Sequence, residues 1–591
     1  MYRYTEFDRH FVRQRAAQFR DQLERHLRGD LGADEFRPLR LQNGWYVQRY
    51  APMLRVAVPY GEISSPQLRV LARIAREYDQ PDAQLLAHAQ QTQDRIGSAP
   101  GPRLVTGVGH FTTRQNVQFN WIPLDKSADV MDLLASVNLH GIQTSGNCIR
   151  NITSDELAGI AVDEAVDPRP YAEIMRQWST LHPEFAFLPR KFKIAITGAA
   201  EDRAAIEWHD VGLRVLRNAA GEVGFKVWVG GGMGRTPTIA SVIREFVPWQ
   251  EILNFLEAVV RVYNAWGRRD NLYKARLKIL VRAEGPRYFE EVEAEYQRIL
   301  ANGARHTLPE AELARIAAGF ETPAEALRTQ APAPAPNETE RSAFERWVAR
   351  NVSPHRIAHL RAVRLSFKRA GYAPGDATAD QLDAAAELAE RFSAGEARVT
   401  HSQNLLLPWV QADQLPDLWR EAKRLGLGQP TRDLLTDLIA CPGGDYCALA
   451  NARSLPIAHD LLARYQDLDE LLDLGPIDLH ISGCINSCGH HHSGHIGVLG
   501  VDKDGKEWYQ ITLGGSDGRA HSGPARPGKV VGPSFASAEV IDAIEAILDT
   551  FIGLRHEGEW FAQTLERVGH DPFKAAANAA RHAQPEAALE H

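Results

Sequence analysis

The sequence predicts an α+β protein built as a pseudo-twofold repeat, with two related lobes facing each other across a shared ligand site. Three observations lead there. The stretch RTQAPAPAPNETE at 328–340 divides the chain, because alternating prolines fit neither a regular helix nor a central strand. The two parts then echo each other in order: RVAVP (55–59) answers RLSF (364–367), SPQL (65–68) answers ADQL (379–382), and TRQNVQ (113–118) answers HSQNLL (401–406). Each series is followed by a larger αβ region carrying a cysteine-bearing loop, TSGNCIRN (144–151) and ISGCINSC (481–488). Related lobes of this kind enclose a ligand where they meet.

The elements follow in chain order. Residues 1–44 are charged, with apolar positions at helical spacing, and read as a helical arm lying over the body. Residues 45–130 form the first small half-domain: RVAVP begins a strand, SPQL opens a helix, and TRQNVQ leads a further strand. Within it, GSAPGPR (97–103) reads as a surface insertion. Residues 131–327 make the first larger αβ domain, and 328–340 the linker. Residues 341–425 repeat the half-domain, 426–570 repeat the αβ domain, and 571–591 are expected to be a frayed tail.

Composition narrows the function. A chain of 591 residues, 44% apolar and 24% charged, supports several domains with a large core. Net charge is −8, which argues against a protein that binds nucleic acid by neutralising phosphates. The charged start, MYRYTEFDRHFVRQ, has no apolar core, so no secretory signal is expected. No apolar run approaches the ~18 residues a membrane helix needs. The five cysteines are too few for a disulfide framework, and four crowd into residues 441–488. Thiolate ligands suit a reducing cytoplasm.

Those four are Cys441, Cys447, Cys484 and Cys488, in pairs spaced C-x5-C and C-x3-C. Four thiolates can occupy the four iron corners of a cubane cluster. The flanking glycines let backbone N–H groups approach the sulfides. Structural zinc is the rival: it favours C-x2–4-C pairs, so the second pair fits and the first fits poorly. Four unrelated buried cysteines are the third reading.

ACPGGDYC (440–447) with GCINSC (483–488) resembles the double signature of the sulfite and nitrite reductase haemoprotein family. MLRVAVPYG (53–61), TTRQNVQF (112–119), LPRKFK (188–193), VGGGMGRT (229–236) and LGG (513–515) extend the likeness, in the family's order, over roughly residues 45–560. The resemblance implies ferredoxin-like half-domains and two larger αβ domains around a central site holding sirohaem and a 4Fe–4S cluster. It implies that Cys441, Cys447, Cys484 and Cys488 hold the cluster, and that Cys488 also ligates sirohaem iron. It places Arg55, Arg150, Lys191 and Lys193 around the open face of that iron.

Charge chemistry supports those positions. Sulfite is a dianion whose three oxygens need donors and protons, which cationic side chains supply. Alternation on a strand sends Lys191 and Lys193 to one face and Phe192 to the other; without the resemblance, solvated lysines would be the ordinary reading. Sirohaem carries eight carboxylates, so its site must be rich in cations. Arg114, Gln118 and Asn486 match family residues that touch it, and Lys274, Arg276 and Lys278 are further partners. The family often has arginine where His110 stands. The loop around Gly231, Gly232 and Arg235 lacks the GK[ST] ending of a P-loop and reads instead as an anion nest of bare N–H groups. Cys148 is read as a buried free thiol, and the histidines at 490, 491, 492 and 495 are given no catalytic role.

The resemblance therefore implies an oxidoreductase of sulfur assimilation and cysteine biosynthesis, reducing sulfite to sulfide in six electrons. Lys193 favours sulfite, because nitrite reductases of the family tend to have asparagine there; TSGNCIRN resembles the nitrite-type loop at least as well as the sulfite-type one. Nitrite reduction to ammonia with the same cofactors is the alternative, and a zinc-stabilised binding protein or a plain cluster-bearing electron carrier the readings of other classes. No GxGxxG unit or flavin domain is evident, so electrons are expected from a separate protein, a ferredoxin or a flavoprotein reductase.

Overall fold

The computed structural model describes residues 1–96, 103–328 and 331–581. Residues 97–102 of the expected insertion, part of the linker at 328–340 and the end of the tail lie outside the described residues.

The repeat is realised strand by strand. One sheet runs in the order Trp45–Val47, Pro52–Val56, Val117–Phe119, Val108–Phe111, Asp376–Thr378. Its counterpart runs Val352–Pro354, Leu360–Leu365, Leu405–Gln411, Glu396–Val399, Glu62–Ser64. Each sheet is completed by a strand from the other half. SPQL and ADQL open helices Ser65–Glu77 and Ala379–Phe392 through the same device, a capping box of Ser64 with Gln67 and of Thr378 with Gln381. The two helices pack against each other, and Leu68, Leu71, Leu382 and Ala385, all fully buried, belong to one core that serves both half-domains.

Arg55 and Arg364 stand near the ends of their strands rather than at the starts the sequence suggests. Pro59 has no N–H to continue the first ladder, and Tyr60 turns the chain at φ 43°. In the second half, Ser366 N–H leaves the sheet to bond Leu427 O (2.9 Å), and Phe367 N–H bonds Asn404 Oδ1 (2.9 Å).

The larger domains also share a topology. Thr153–Ser154, Ile194–Thr197 and Val211–Arg217 lie parallel, followed by antiparallel Val223–Val229 and Ser241–Pro248. Ile439–Ala440, Leu479–Ser482 and Ile496–Lys503 lie parallel, followed by antiparallel Lys506–Leu513 and Lys529–Val530. Each has its own core.

The arm forms helices Glu6–Leu27 and Ala33–Gln42. Val12, Ala16, Phe19 and Leu23 make its buried stripe, and Phe19 stacks on Trp45 at 6.3 Å. Linker residues 331–337 have no regular structure, as their prolines dictate, and Ala333 N–H bonds Asp413 O at 2.9 Å; the last three residues of the expected linker are instead the first turn of helix Glu338–Asn351, capped by Asn337. The expected tail needs correction. Asp571–Ala579 is a helix whose Phe573 and Ala577, one turn apart, are fully buried beside helix Val540–Leu554.

Candidate active site

A row of side chains crosses the first small sheet. Arg55 pairs in register with Gln118, Gln118 with His110, and His110 with Asp376 of the other half. Register partners share a face, so the row presents one polar surface. Arg55 Nη2 donates to Gln118 Oε1 (2.9 Å), and His110 Nδ1 meets Asp376 Oδ1 (2.8 Å). His110, at the position where the family often has arginine, is therefore partnered by a carboxylate from the second half.

Across from this row, TSGNCIRN folds around its own arginine. Arg150 donates to Thr144 O (2.6 Å) and to Gly146 O through Nη2 (2.7 Å) and Nε (3.1 Å). Lys191 and Lys193 alternate as predicted, although the strand proper begins at Ile194. Phe192 forms an isolated bridge with Ile149 and is fully buried, while both lysines line the cavity.

The cysteines converge because of strand direction. Ile439–Ala440 and Leu479–Ser482 are parallel neighbours, so the loops that follow them leave the same end of the sheet. Gly483 N–H donates to Cys441 Sγ at 3.2 Å, and Asn486 Nδ2 reaches Cys484 Sγ at 3.5 Å. A Cβ on Gly489 would stand 1.9 Å from Ile481 O, so only glycine fits directly after Cys488. A zinc tetrahedron with Zn–S near 2.3 Å draws its sulfurs to about 3.8 Å from one another. Among the described residues, no three of the four thiols lie within 4.8 Å of one another. In any three of them at least one pair therefore stands wider than a zinc tetrahedron holds its sulfurs.

Arg55, Arg114, Gln118, Arg150, Lys191, Lys193, Cys441, Asn486 and Cys488 all line one cavity of about 730 Å³. Among the described residues no aspartate or glutamate lines it. Burial, reinforced by Arg150, pushes Arg114 down to about 9. Burial likewise pushes Lys191 down to about 7, opposed by the Cys488 sulfur and reinforced by Arg276 and Arg150. Lys193 is held well below the usual lysine range by burial, with Arg114 and Lys191 adding to it. Such a cavity is short of negative charge and fits a polycarboxylate and a small anion.

Gly231, Gly232, Arg235, Arg276 and Lys278, also predicted, do not line this cavity. Arg276 is bidentate to the buried Asp210 carboxylate (2.9 and 2.8 Å). Lys278 Nζ holds the carbonyls of Gly232 (3.2 Å), Met233 (2.6 Å) and Thr236 (2.6 Å). Gly231 is forced: a Cβ would lie 2.3 Å from Glu207 O. The glycine loop is less of an anion nest than its sequence implies, since the Gly230 and Gly232 N–H groups bond Asp210 O and Thr238 O. Arg235 is exposed. The fifth thiol, Cys148, lies outside this cavity, half-buried, donating to Ser145 O (3.3 Å).

Sequence reasoning missed Gln403 and Gln143. Gln403 Nε2 donates to Phe111 O (3.1 Å) and Ala440 O (3.0 Å), and its Oε1 accepts from Ala440 N–H (3.0 Å), one residue before Cys441. The available signal was the TRQN/HSQN echo: Gln115 makes the matching reach, donating to Val399 O (3.2 Å).

The comparisons agree with this geometry. The model described as "Nitrite and sulphite reductase 4Fe-4S domain" matches residues 145–299 and again 433–584. That described as "Nitrite/Sulfite reductase ferredoxin-like half domain" matches 47–87 and 362–425. Sulfite reductase (ferredoxin) 2 of Mycolicibacterium paratuberculosis is 31% identical over 88% of this chain and 83% of that protein. The assimilatory ferredoxin-dependent nitrite reductase of Haloferax mediterranei is 27% identical over 88% and 82%. The solved structure of Mycobacterium tuberculosis NirA protein superposes with a TM-score of 0.71 at 26% identity, covering 93% of this chain and 95% of that one.

Proposed function

The chain belongs to the nitrite and sulphite reductase family, and from that premise we propose that it reduces sulfite to sulfide in six electrons. The family's cofactors are a 4Fe–4S cluster coupled to sirohaem, which together supply electrons to an oxyanion bound at iron. The observation that carries the reading is the cavity in which Cys441 and Cys488 meet the cations Arg55, Arg114, Arg150, Lys191 and Lys193 and no carboxylate.

In this reading Cys441, Cys447, Cys484 and Cys488 would hold the cluster, and Cys488, which faces the cavity, would also serve sirohaem. Arg114, Gln118 and Asn486 meet the macrocycle, supported by Gly231, Gly232, Arg235, Arg276 and Lys278. Arg55, Arg150, Lys191 and Lys193 orient the anion and offset its charge. Each oxygen leaves as water and takes up protons. Lys191, displaced towards 7, can release and regain a proton at Nζ near neutral pH. A bound anion favours the protonated form of Lys193, and a second ammonium there suits a dianion with three oxygens better than a monoanion with two, which favours sulfite over nitrite.

The electron donor in this proposal is a ferredoxin, as the relatives' names have it for those proteins. A flavoprotein reductase is the other outcome to be assayed. No helix of the described residues is long and apolar enough to cross a membrane, and thiols that must stay reduced suit the cytoplasm. Steady-state assays with each anion and reduced ferredoxin test the function. Sulfite is expected to show the larger kcat/KM; turnover of nitrite alone would overturn the choice, and a colourless, iron-free protein from cells making both cofactors would overturn the whole reading.

A further inference from the structure

A second, larger cavity of about 1180 Å³ lies against the anion pocket, between helix Ala33–Gln42, the loop 142–148 and the segment 181–190. The reaction described above does not use it. Gln143 lines both cavities. It stands in the left-handed region at φ 64°. Its side chain is fixed on three sides, by Ile149 O (3.2 Å), Ser179 Oγ (2.9 Å) and Thr180 Oγ1 (2.9 Å). The partition is thus one turn of chain, residues 143–150, wrapped around the Arg150 guanidinium. A Cβ on Gly146, within that turn, would meet nothing within 4 Å, so the outer side of the partition is open space.

The outer cavity continues the charge pattern of the inner one. Among the described residues no aspartate or glutamate lines it. Arg190 lines it half-buried, forms no ion pair among the described residues, and lies near enough to Arg150 and Arg276 to feel their charges. Leu181, at φ 52°, and Phe187 are exposed apolar side chains at its rim. An anion entering here would meet a positive potential that deepens from Arg190 to Arg150, with no carboxylate on either wall to repel it. Low-dielectric walls lined by one sign of charge focus such a field.

We infer that the outer cavity is the entry vestibule of the anion pocket: a small oxyanion is gathered at Arg190 and passes the 143–150 partition to Arg150. This rests on the reading of the inner cavity as an oxyanion pocket. A vestibule differs from a binding site in its kinetics, because obstructing a passage slows entry and exit alike and leaves the equilibrium where it was.

Sulfite binding to the cofactor-loaded enzyme, followed by rapid mixing and visible absorption, tests this. Ala186→Trp and Asn147→Trp each put a large ring into the cavity from a different segment of its lining; a wild-type visible spectrum shows that each still folds and loads. Each is expected to lower both association and dissociation rates about tenfold, with Kd within about twofold of wild type. Arg190→Glu is expected to slow association about tenfold at low ionic strength and to approach wild type as salt screens the charge. Unchanged association rates in both filled variants overturn the vestibule, as does a weaker Kd at an unchanged association rate. A wild-type enzyme that takes up neither sulfite nor nitrite overturns the proposed function, and the vestibule with it.

Discussion

Phe192, turned into the core, leaves Lys191 and Lys193 side by side on a cavity wall where neither finds a carboxylate among the described residues. Removing one such donor from a desolvated oxyanion site costs about 10²-fold in turnover. Lys193→Asn is therefore expected to lower kcat/KM for sulfite by about that factor and for nitrite by much less. Parallel assays with the two anions check it, and equal losses would remove the reason for preferring sulfite. Lys191 yields a pH prediction. Its folded pKa of about 7 lies below the ordinary lysine value, so above pH 7 the empty site has released its proton. An anion bound beside it favours the ammonium, so binding takes the proton back. Affinity should fall by up to about tenfold per pH unit above 7. Calorimetry in buffers of different ionisation enthalpy should show proton uptake that Lys191→Met abolishes. The same shift means that the empty chain gains stability as pH rises from about 7 towards the ordinary lysine range, since the unfolded chain then holds more protons.

At the scale of elements, the motif strings located the cysteine loops and the KFK pair. What they could not locate was what fixes these segments. Gln115 and Gln403 sit at φ 55° and 61°, and each sends its amide across to a carbonyl of the opposite half. Nothing in a lone glutamine's sequence context announces a long-range bond of this kind; only the TRQN/HSQN echo hinted that the positions correspond. Replacing either by alanine orphans buried backbone groups at about 1–3 kcal/mol each. Both variants should therefore lose stability by a similar amount in chemical denaturation. Their chemistry should differ, because Gln403 bonds the backbone of Ala440, beside Cys441, whereas Gln115 Oε1 accepts from Ser154 N–H (3.0 Å), far in sequence from any cysteine of the quartet. Iron content should fall in Gln403→Ala and hold in Gln115→Ala. Cys441→Ser should lose the cluster altogether, and an unchanged iron content there would contradict the quartet.

Across the whole molecule, the echo between halves correctly implied facing lobes, but the exchange of strands could not be read from it, because two short segments, Glu62–Ser64 and Asp376–Thr378, carry no label for which sheet they join. The pseudo-symmetry also explains why only one of two related places suits an anion. The row Arg55, Gln118, His110, Asp376 has a counterpart in Arg364, Leu406, Arg398, Glu62. Arg364 is claimed by Glu156 and by Asp437 (3.4 Å), so its charge is already offset, whereas Arg55 is left to a neutral glutamine. The strand exchange makes a further prediction. Residues 1–328 alone would lack Asp376–Thr378, and residues 331–591 alone would lack Glu62–Ser64. Each would expose a sheet edge and half of the shared core around Leu68 and Leu382. Expressed separately, the halves should fail to fold; expressed together, they should associate. A protease site placed within 331–337 of the intact enzyme should, after cleavage, leave both pieces eluting as one species with the visible spectrum of the uncut protein. Separation of the pieces under native conditions would mean that the interleaved sheets contribute far less to the fold than their shared core implies.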